Sequence, residues 1–99
     1  MIVKTLSVKE VVSRAISHIG ELFARDSISN VGLEEVDYDS ENRIWVVTVG
    51  FSRPWDFQNA GSLASFVDRS ITPTRSFKII RISDVDGEVL SVKNYPSAA

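Results

Sequence analysis

The stretch SVKEVVSRAISHIGELF, residues 7–23, decides the fold of this chain. Its apolar residues recur at steps of three and four, which is the spacing of one face of an α-helix. These residues are Val8, Val11, Val12, Ala15, Ile16, Ile19, Leu22 and Phe23. Ser7 and Glu10 have the spacing of a capping box, which marks a helix start. We therefore predict an amphipathic helix over residues 7–25 that packs on another apolar surface.

The period of the pattern changes to two from residue 31, as expected for β-strands. Val31 and Leu33 alternate out of phase with Val36 and Tyr38. A phase slip of one residue within a strand is most simply explained by a β-bulge. We therefore predict a bulge or bend near residues 34–35.

Turn signals divide the rest of the chain into two strand pairs. Residues 44–51 alternate and follow the polar turn 39–42, which predicts a hairpin with the preceding strand. A second β-rich run, 77–82, is followed by the turn sequence DVDG at 84–87 and a returning strand at 88–95. Helix and hairpins together predict an α+β domain of order α-β-β-β-β, with one N-terminal helix packed on a four-stranded antiparallel sheet.

Composition limits the classes of protein to which the chain can belong. Its 99 residues fit a single domain, 1–99, and its 43% hydrophobic and 24% charged residues are typical of globular proteins. The net charge is −2 and the basic residues are scattered, which argues against nucleic-acid binding. The first residues lack the apolar core of a signal peptide, and no run reaches membrane-spanning length. We expect a cytoplasmic protein that does not bind membranes.

Residues with catalytic potential form no recognisable constellation. The chain has no cysteine, and its one histidine, His18, lies at the edge of the apolar face of the helix, which we call the apolar stripe. The sequence has no Gly-x-Ser-x-Gly motif that would supply a serine nucleophile for this histidine. Glu35, Asp37 and Asp39 share one predicted solvent face, where carboxylates are hydrated. The glycines are never clustered as in a phosphate loop, and the 84–87 turn matches only a fragment of a calcium loop. We predict a chain that is not an enzyme and has no cofactor or metal.

Three basic residues lie close together near the third strand. Strand alternation places Arg75 and Arg81 on one face and Lys78 on the other. The two arginines either keep the outer surface of the sheet soluble or bind an acidic partner.

Residues 53–73, which join the two hairpins, have no strand period, and long links of this kind are usually functional or disordered. This link is rich in large apolar residues, which disordered segments normally lack. Its aromatic residues either cap an open end of the sheet or form a contact surface for a partner, a second copy or an apolar ligand. The candidate partner-binding residues are Arg53, Trp55, Phe57 and Phe66.

The order of motifs resembles that of PepSY-like small domains. The resemblance rests on the helix and on residues 34–36, 45–49, 77–82 and 86–90, and it spans most of the chain outside 53–73. It implies a non-catalytic domain that binds or inhibits a partner protein such as a peptidase. Independently of the resemblance, one helix that covers one face of the sheet predicts a sheet curled around that helix, as in cystatin-like folds.

Two hypotheses of function follow from the sequence. The first is a non-enzymatic protein-interaction domain that uses segment 53–73 or an exposed sheet edge. Its partner is another protein or a second copy of the chain, which would make a homodimer. The second is a small-ligand-binding or enzymatic domain with a pocket between helix and sheet. We expect Phe23, Trp45, Phe51 and Phe77 to fill that space, which favours the first hypothesis.

Overall fold

A computed structural model describes residues 5–54 and 75–95 of the chain. Helix α1 spans Val8–Leu22, and a short 3-10 helix follows at Ala24–Asp26. The strands are β1 (Ser29–Asp39), β2 (Ile44–Ser52), β3 (Ser76–Ser83) and β4 (Val89–Asn94). The element order and the packing of one helix on a four-stranded antiparallel sheet confirm the predicted α+β arrangement.

Helix α1 begins at the predicted cap. The Ser7 hydroxyl oxygen accepts a hydrogen bond of 3.2 Å from the Glu10 amide, and the hydroxyl donates to the Glu10 carboxylate at 3.3 Å. The helix ends three residues earlier than predicted. The chain tightens there into the 3-10 turn, after which Ser27 adopts a left-handed conformation with φ of 51°.

The sheet has the strand order β1-β2-β3-β4, and every neighbouring pair is antiparallel. The predicted bulge is confirmed, because the β1–β2 register shifts between Leu33 and Glu35. Glu34 is the extra residue. Val31, before the bulge, and Val36, after it, both pack against the core, so the bulge brings apolar residues from both phases of the strand onto one face.

The core lies between α1 and one face of the sheet. It consists of side chains that are at most 2% exposed: Val11, Ala15, Ile19, Trp45, Val47, Val49, Phe51, Ile80 and Ile82. Phe23 packs against this core, with its ring centroid 5.1 Å from that of Phe51. The apolar stripe of the helix is therefore buried at its centre, whereas its ends, Val8 and Leu22, are 47% and 54% exposed.

One predicted core residue, Phe77, lies elsewhere. Phe77 pairs with Gly50 on the face of the sheet opposite the helix, and it is 38% exposed. Ile80 and Ile82 face the core, so strand alternation turns Phe77 away from it. The prediction that Phe77 fills the space between helix and sheet was wrong.

Candidate interaction surface

The face of the sheet opposite α1 carries its own set of side chains, and we call it the outer face. Among residues 5–54 and 75–95, side chains of the strands, of Arg75 and of Tyr95 reach it. Its strand residues alternate with the core residues along each strand. They include Glu35, Asp37, Val46, Thr48, Phe77, Ile79, Arg81, Ser91 and Lys93.

Between the β-bulges, the strand register arranges the outer face in rows across all four strands. One row consists of Glu35, Thr48, Ile79 and Lys93. The next consists of Asp37, Val46, Arg81 and Ser91. Beyond the first row, Phe77 lies beside Tyr95, whose amide donates a hydrogen bond of 3.1 Å to the Phe77 carbonyl.

A groove of about 330 Å³ crosses the outer face, and Thr48, only 6% exposed, contributes to its lining. Phe77 and Tyr95 line the groove with their rings in an edge-to-face contact at 6.3 Å between centroids. Tyr95 is 51% exposed, so much of this aromatic pair faces solvent. Glu34 and Glu35 complete the lining and give the groove an acidic side.

An ion pair packs directly on the backbone of β2 beside this groove. Arg75 Nη2 lies 3.3 Å from Glu34 Oε1. A Cβ atom on Gly50 would lie 2.7 Å from Glu34 Oε1, 2.8 Å from Arg75 Nη2 and 3.0 Å from Phe77 Cε1. The absence of a side chain at Gly50 therefore allows the ion pair and the aromatic ring to approach this closely.

The charges of the outer face are divided between its two sides. Glu35 and Asp37 lie on β1, whereas Arg81 and Lys93 lie on β3 and β4. Strands β1 and β4 are about 14 Å apart at the usual strand spacing, too far for an ion pair within one chain. Within the described part of the chain, neither Arg81 nor Lys93 forms an ion pair.

The faces predicted for the basic residues are confirmed where the structure shows them. Arg75 reaches the outer face through its pair with Glu34, and Arg81 pairs in register with the outer-face residue Val46. Lys78 lies on the opposite face, where its Nζ is 5.5 Å from the centroid of the Phe23 ring. Burial and the nearby charge of Arg53 lower the pKa of Lys78.

Arg53, the first of the predicted partner-binding residues, makes contacts within the fold. Its guanidinium carbon lies 5.4 Å from the ring centroid of Phe23 and 5.3 Å from that of Phe51. Its Nε lies 3.3 Å from the Asp26 carboxylate, and its Nη1 donates to the Ser76 hydroxyl at 3.2 Å. The guanidinium thus joins the end of β2 to the start of β3 and to the 3-10 helix.

The other predicted partner-binding residues, Trp55, Phe57 and Phe66, lie outside the described residues. Of that predicted site, the structure describes Arg53 alone. His18 is half-buried, as predicted for a residue at the edge of the stripe, and it lines a shallow surface depression with Arg14 and Glu21. In residues 5–54 and 75–95, no group of three or more acidic or histidine side chains is placed to hold a metal ion. No helix in these ranges is long and apolar enough to cross a membrane.

Asp84 is a buried polar residue whose importance the sequence did not reveal. Its carboxylate accepts hydrogen bonds from the amides of Thr5 (2.8 Å) and Leu6 (2.9 Å), from the Trp45 indole (2.9 Å) and from the Tyr38 hydroxyl (3.3 Å). Burial raises the pKa of Asp84, but these four hydrogen bonds outweigh it and lower the pKa to about 2.

The surroundings of Asp84 indicate a structural role. The side chain is fully buried, and Arg43 Nη2 lies 3.8 Å from one carboxylate oxygen. Its donors come from the segment before α1, from β1 and from β2. The carboxylate therefore connects these three parts of the chain through hydrogen bonds. The sequence held one signal for it, because a buried Trp indole N–H needs an acceptor.

Comparison with known proteins does not extend these observations. No protein-family model matches the chain, and no curated protein or solved structure matches it. The resemblance to PepSY-like domains therefore stays a prediction.

Proposed function

We propose that the chain is a non-enzymatic protein-interaction domain and that the outer face is its contact surface. The observation that carries this proposal is the exposed pair Phe77 and Tyr95, set beside a groove on the side of the sheet away from α1. Aromatic side chains are enriched at the centres of protein interfaces because they bury a large area with few rotatable bonds.

The apolar content of the outer face supports a binding role. A sheet face that only meets water normally carries polar side chains. Here β2 and β3 present Val46, Ile79 and Phe77, and Tyr95 adjoins them. A contiguous apolar patch of this kind, bordered by charges, is typical of an interaction site.

The aromatic pair supplies a useful but limited share of the binding free energy. The exposed parts of Phe77 and Tyr95 amount to roughly 180 Å², which corresponds to about 4 kcal/mol if both are fully buried. Association itself has an entropic cost of at least similar size. A stable complex therefore also needs contacts from the neighbouring rows of the outer face.

The polar groups of the groove favour binding over catalysis. Acid–base chemistry by paired carboxylates requires that burial or like charge raises the pKa of one of them. Glu34 and Glu35 are both exposed, and Glu34 is bound by Arg75. These carboxylates are suited to recognising a basic group on a partner.

The test compares proteins recovered by cross-linking and affinity purification from the native cell. The double variant Phe77→Ser and Tyr95→Ser removes the aromatic pair. The control, Leu22→Ser and Val85→Ser, removes two exposed apolar side chains that lie off the outer face. We expect the wild type and the control to recover one protein in near-equal amount, either a different chain or a differently tagged copy of this one. The outer-face variant should lose it while its circular dichroism spectrum is unchanged.

Recovery of the same proteins at the same yield by all three forms would refute the proposal. So would recovery of no stoichiometric partner by the wild type.

A further inference from the structure

We propose that the partner of the outer face is a second copy of this chain, related to the first by a two-fold axis parallel to the strands. This inference rests on the proposed function, since it names the occupant of the same surface. It is carried by the charge pattern and by the row structure of the outer face.

The two-fold axis follows from how two such faces can meet. Stacked sheets lie about 10 Å apart with their strands nearly aligned. An axis parallel to the strands and midway between β2 and β3 reverses the left-to-right order of the strands in the second copy. Each β1 then lies over the partner's β4, and each β2 lies over the partner's β3. Near the axis, every row meets the same row of the other copy.

The charges at the sides of the sheet are complementary in this arrangement. Glu35 and Lys93 occupy opposite ends of one row, so each Glu35 faces the partner's Lys93. The symmetry produces this contact twice. Two long side chains are able to bridge the separation between the sheets at their sides.

The side chains in the middle of each row, on β2 and β3, can also pack against those of a second copy. Thr48 meets the partner's Ile79, and Val46 meets the partner's Arg81. The alkyl stem of Arg81 can pack on the valine while its guanidinium reaches the partner's Asp37 in the same row. Arg81, which has no ion pair within the described part of one chain, gains one in the dimer.

The charge pattern also excludes the other simple two-fold arrangement. An axis lying across the strands would place β1 on β1 and β4 on β4. The acidic residues of β1, Glu35 and Asp37, would then lie over the partner's acidic β1, and Lys93 would lie over a strand with no acidic side chain on this face. No contact at the sides of the sheet would pair opposite charges. The charges of the outer face therefore select a single orientation.

The size of the surface indicates a reversible dimer. Four strands of about six residues present a face of roughly 20 Å by 20 Å, or about 400 Å² in projection. Two such faces bury about 800 Å² together, which is below the range of stable specific interfaces and within that of weak, transient ones. We expect the dimer to dissociate on dilution, and to do so more readily at high ionic strength because its ion pairs lie at the rim.

Charge reversal tests the arrangement by light scattering across a dilution series. Glu35→Lys places lysine opposite lysine, and Lys93→Glu places glutamate opposite glutamate. Each variant alone should raise the dissociation constant at least about tenfold. The matched controls Glu21→Lys and Lys9→Glu reverse exposed charges on α1 and should dimerise like the wild type.

A mixture of the two outer-face variants provides the decisive measurement. A mixed dimer contains one Glu35→Lys chain and one Lys93→Glu chain. Position 35 of each chain then faces the opposite charge at position 93 of the other chain. We expect the mixture to form a heterodimer with close to wild-type affinity, although each component alone is largely monomeric. This result also shows that both variants are folded.

Three outcomes would overturn the inference: a wild-type chain that stays monomeric at the highest attainable concentration, single variants that dimerise as well as the wild type, or a mixture that does not associate. The proposed function survives any of these if the native-cell experiment recovers a different protein that depends on Phe77 and Tyr95. It fails together with the inference if no protein depends on them.

Discussion

The Trp45 indole Nε1 donates a hydrogen bond of 2.9 Å to Asp84 Oδ1, and both side chains are buried. Trp45 belongs to the core face of β2, and Asp84 directly follows β3. The same carboxylate accepts from the amides of Thr5 and Leu6, which precede α1. One buried anion therefore holds the entry to the helix against the sheet.

Replacing Asp84 with asparagine is expected to lower the free energy of unfolding by about 3 kcal/mol. All the groups that bind this carboxylate are donors, and the asparagine NH₂ would face at least one of them without an acceptor. Urea unfolding measures the loss. The control is Asp86→Asn in the same turn, which is exposed and keeps an oxygen to accept from the Glu88 amide. A loss below about 1 kcal/mol for Asp84→Asn would contradict the structural role.

The stability of the wild type should fall on acidification through the protonation of Asp84. Its pKa is lowered from the ordinary 3.8 to about 2 in the folded protein, so the unfolded chain takes up the proton first. This contribution is complete above about pH 5 and is lost as the pH falls from about 4 to about 2.

The Asp84→Asn variant isolates this effect from other carboxylates. Asp39, whose pKa is lowered by hydrogen bonds from Asn42, titrates in both proteins. The difference in urea midpoint between wild type and variant should therefore narrow as the pH is lowered. A difference that stays constant between about pH 5 and pH 2 would show that the Asp84 pKa is not depressed.

The elements of this fold could be predicted because their signals are local in sequence. The apolar stripe of α1, the cap at Ser7 and the phase slip at Glu34 are each recognised from residues that lie close together in the sequence. Asp84 could not be assigned in this way. Its donors at Thr5, Tyr38 and Trp45 are 79, 46 and 39 residues away in the chain.

The aromatic and apolar part of the outer face was missed for a related reason. The run 77–82 carries apolar residues on both faces, so its alternation does not say which set packs on the helix. The pairing with β2 decides this, because Trp45 and Val47 fix the core side. The row that joins Glu35 to Lys93 likewise exists only once four strands are in register.

Gly50→Ala is expected to destabilise the protein by about 1 to 2 kcal/mol. The added methyl group would displace the Glu34–Arg75 ion pair and press on the Phe77 ring, which lies 3.0 Å from the Cβ position. The control is Gly32→Ala, since Gly32 pairs directly with Gly50 but has no atom within 4 Å of its Cβ position. That change should be neutral or stabilise by about 0.5 kcal/mol through the lower backbone entropy of alanine. Urea unfolding at matched protein concentration compares the two, and equal effects would contradict the close packing at Gly50.

Arg53→Ala separates a role in the fold from a role in partner binding. We expect a loss of about 2 kcal/mol in the free energy of unfolding, because the guanidinium packs on Phe23 and Phe51 and pairs with Asp26. Arg53→Lys should recover only part of it, since an ammonium group lacks the planar shape that stacks on a ring.

The same variants measured by light scattering decide between the two roles. Because Arg53 contacts the core side of the sheet at the end of β2, dimerisation through the outer face should be unchanged wherever the variants are folded. Arg25→Ala, an exposed arginine of the 3-10 helix, is the control for the loss of one positive charge. If Arg53→Ala instead abolished association and left the unfolding transition in place, Arg53 would be the partner-binding residue that the sequence indicated, and the contact surface would extend to this end of the sheet.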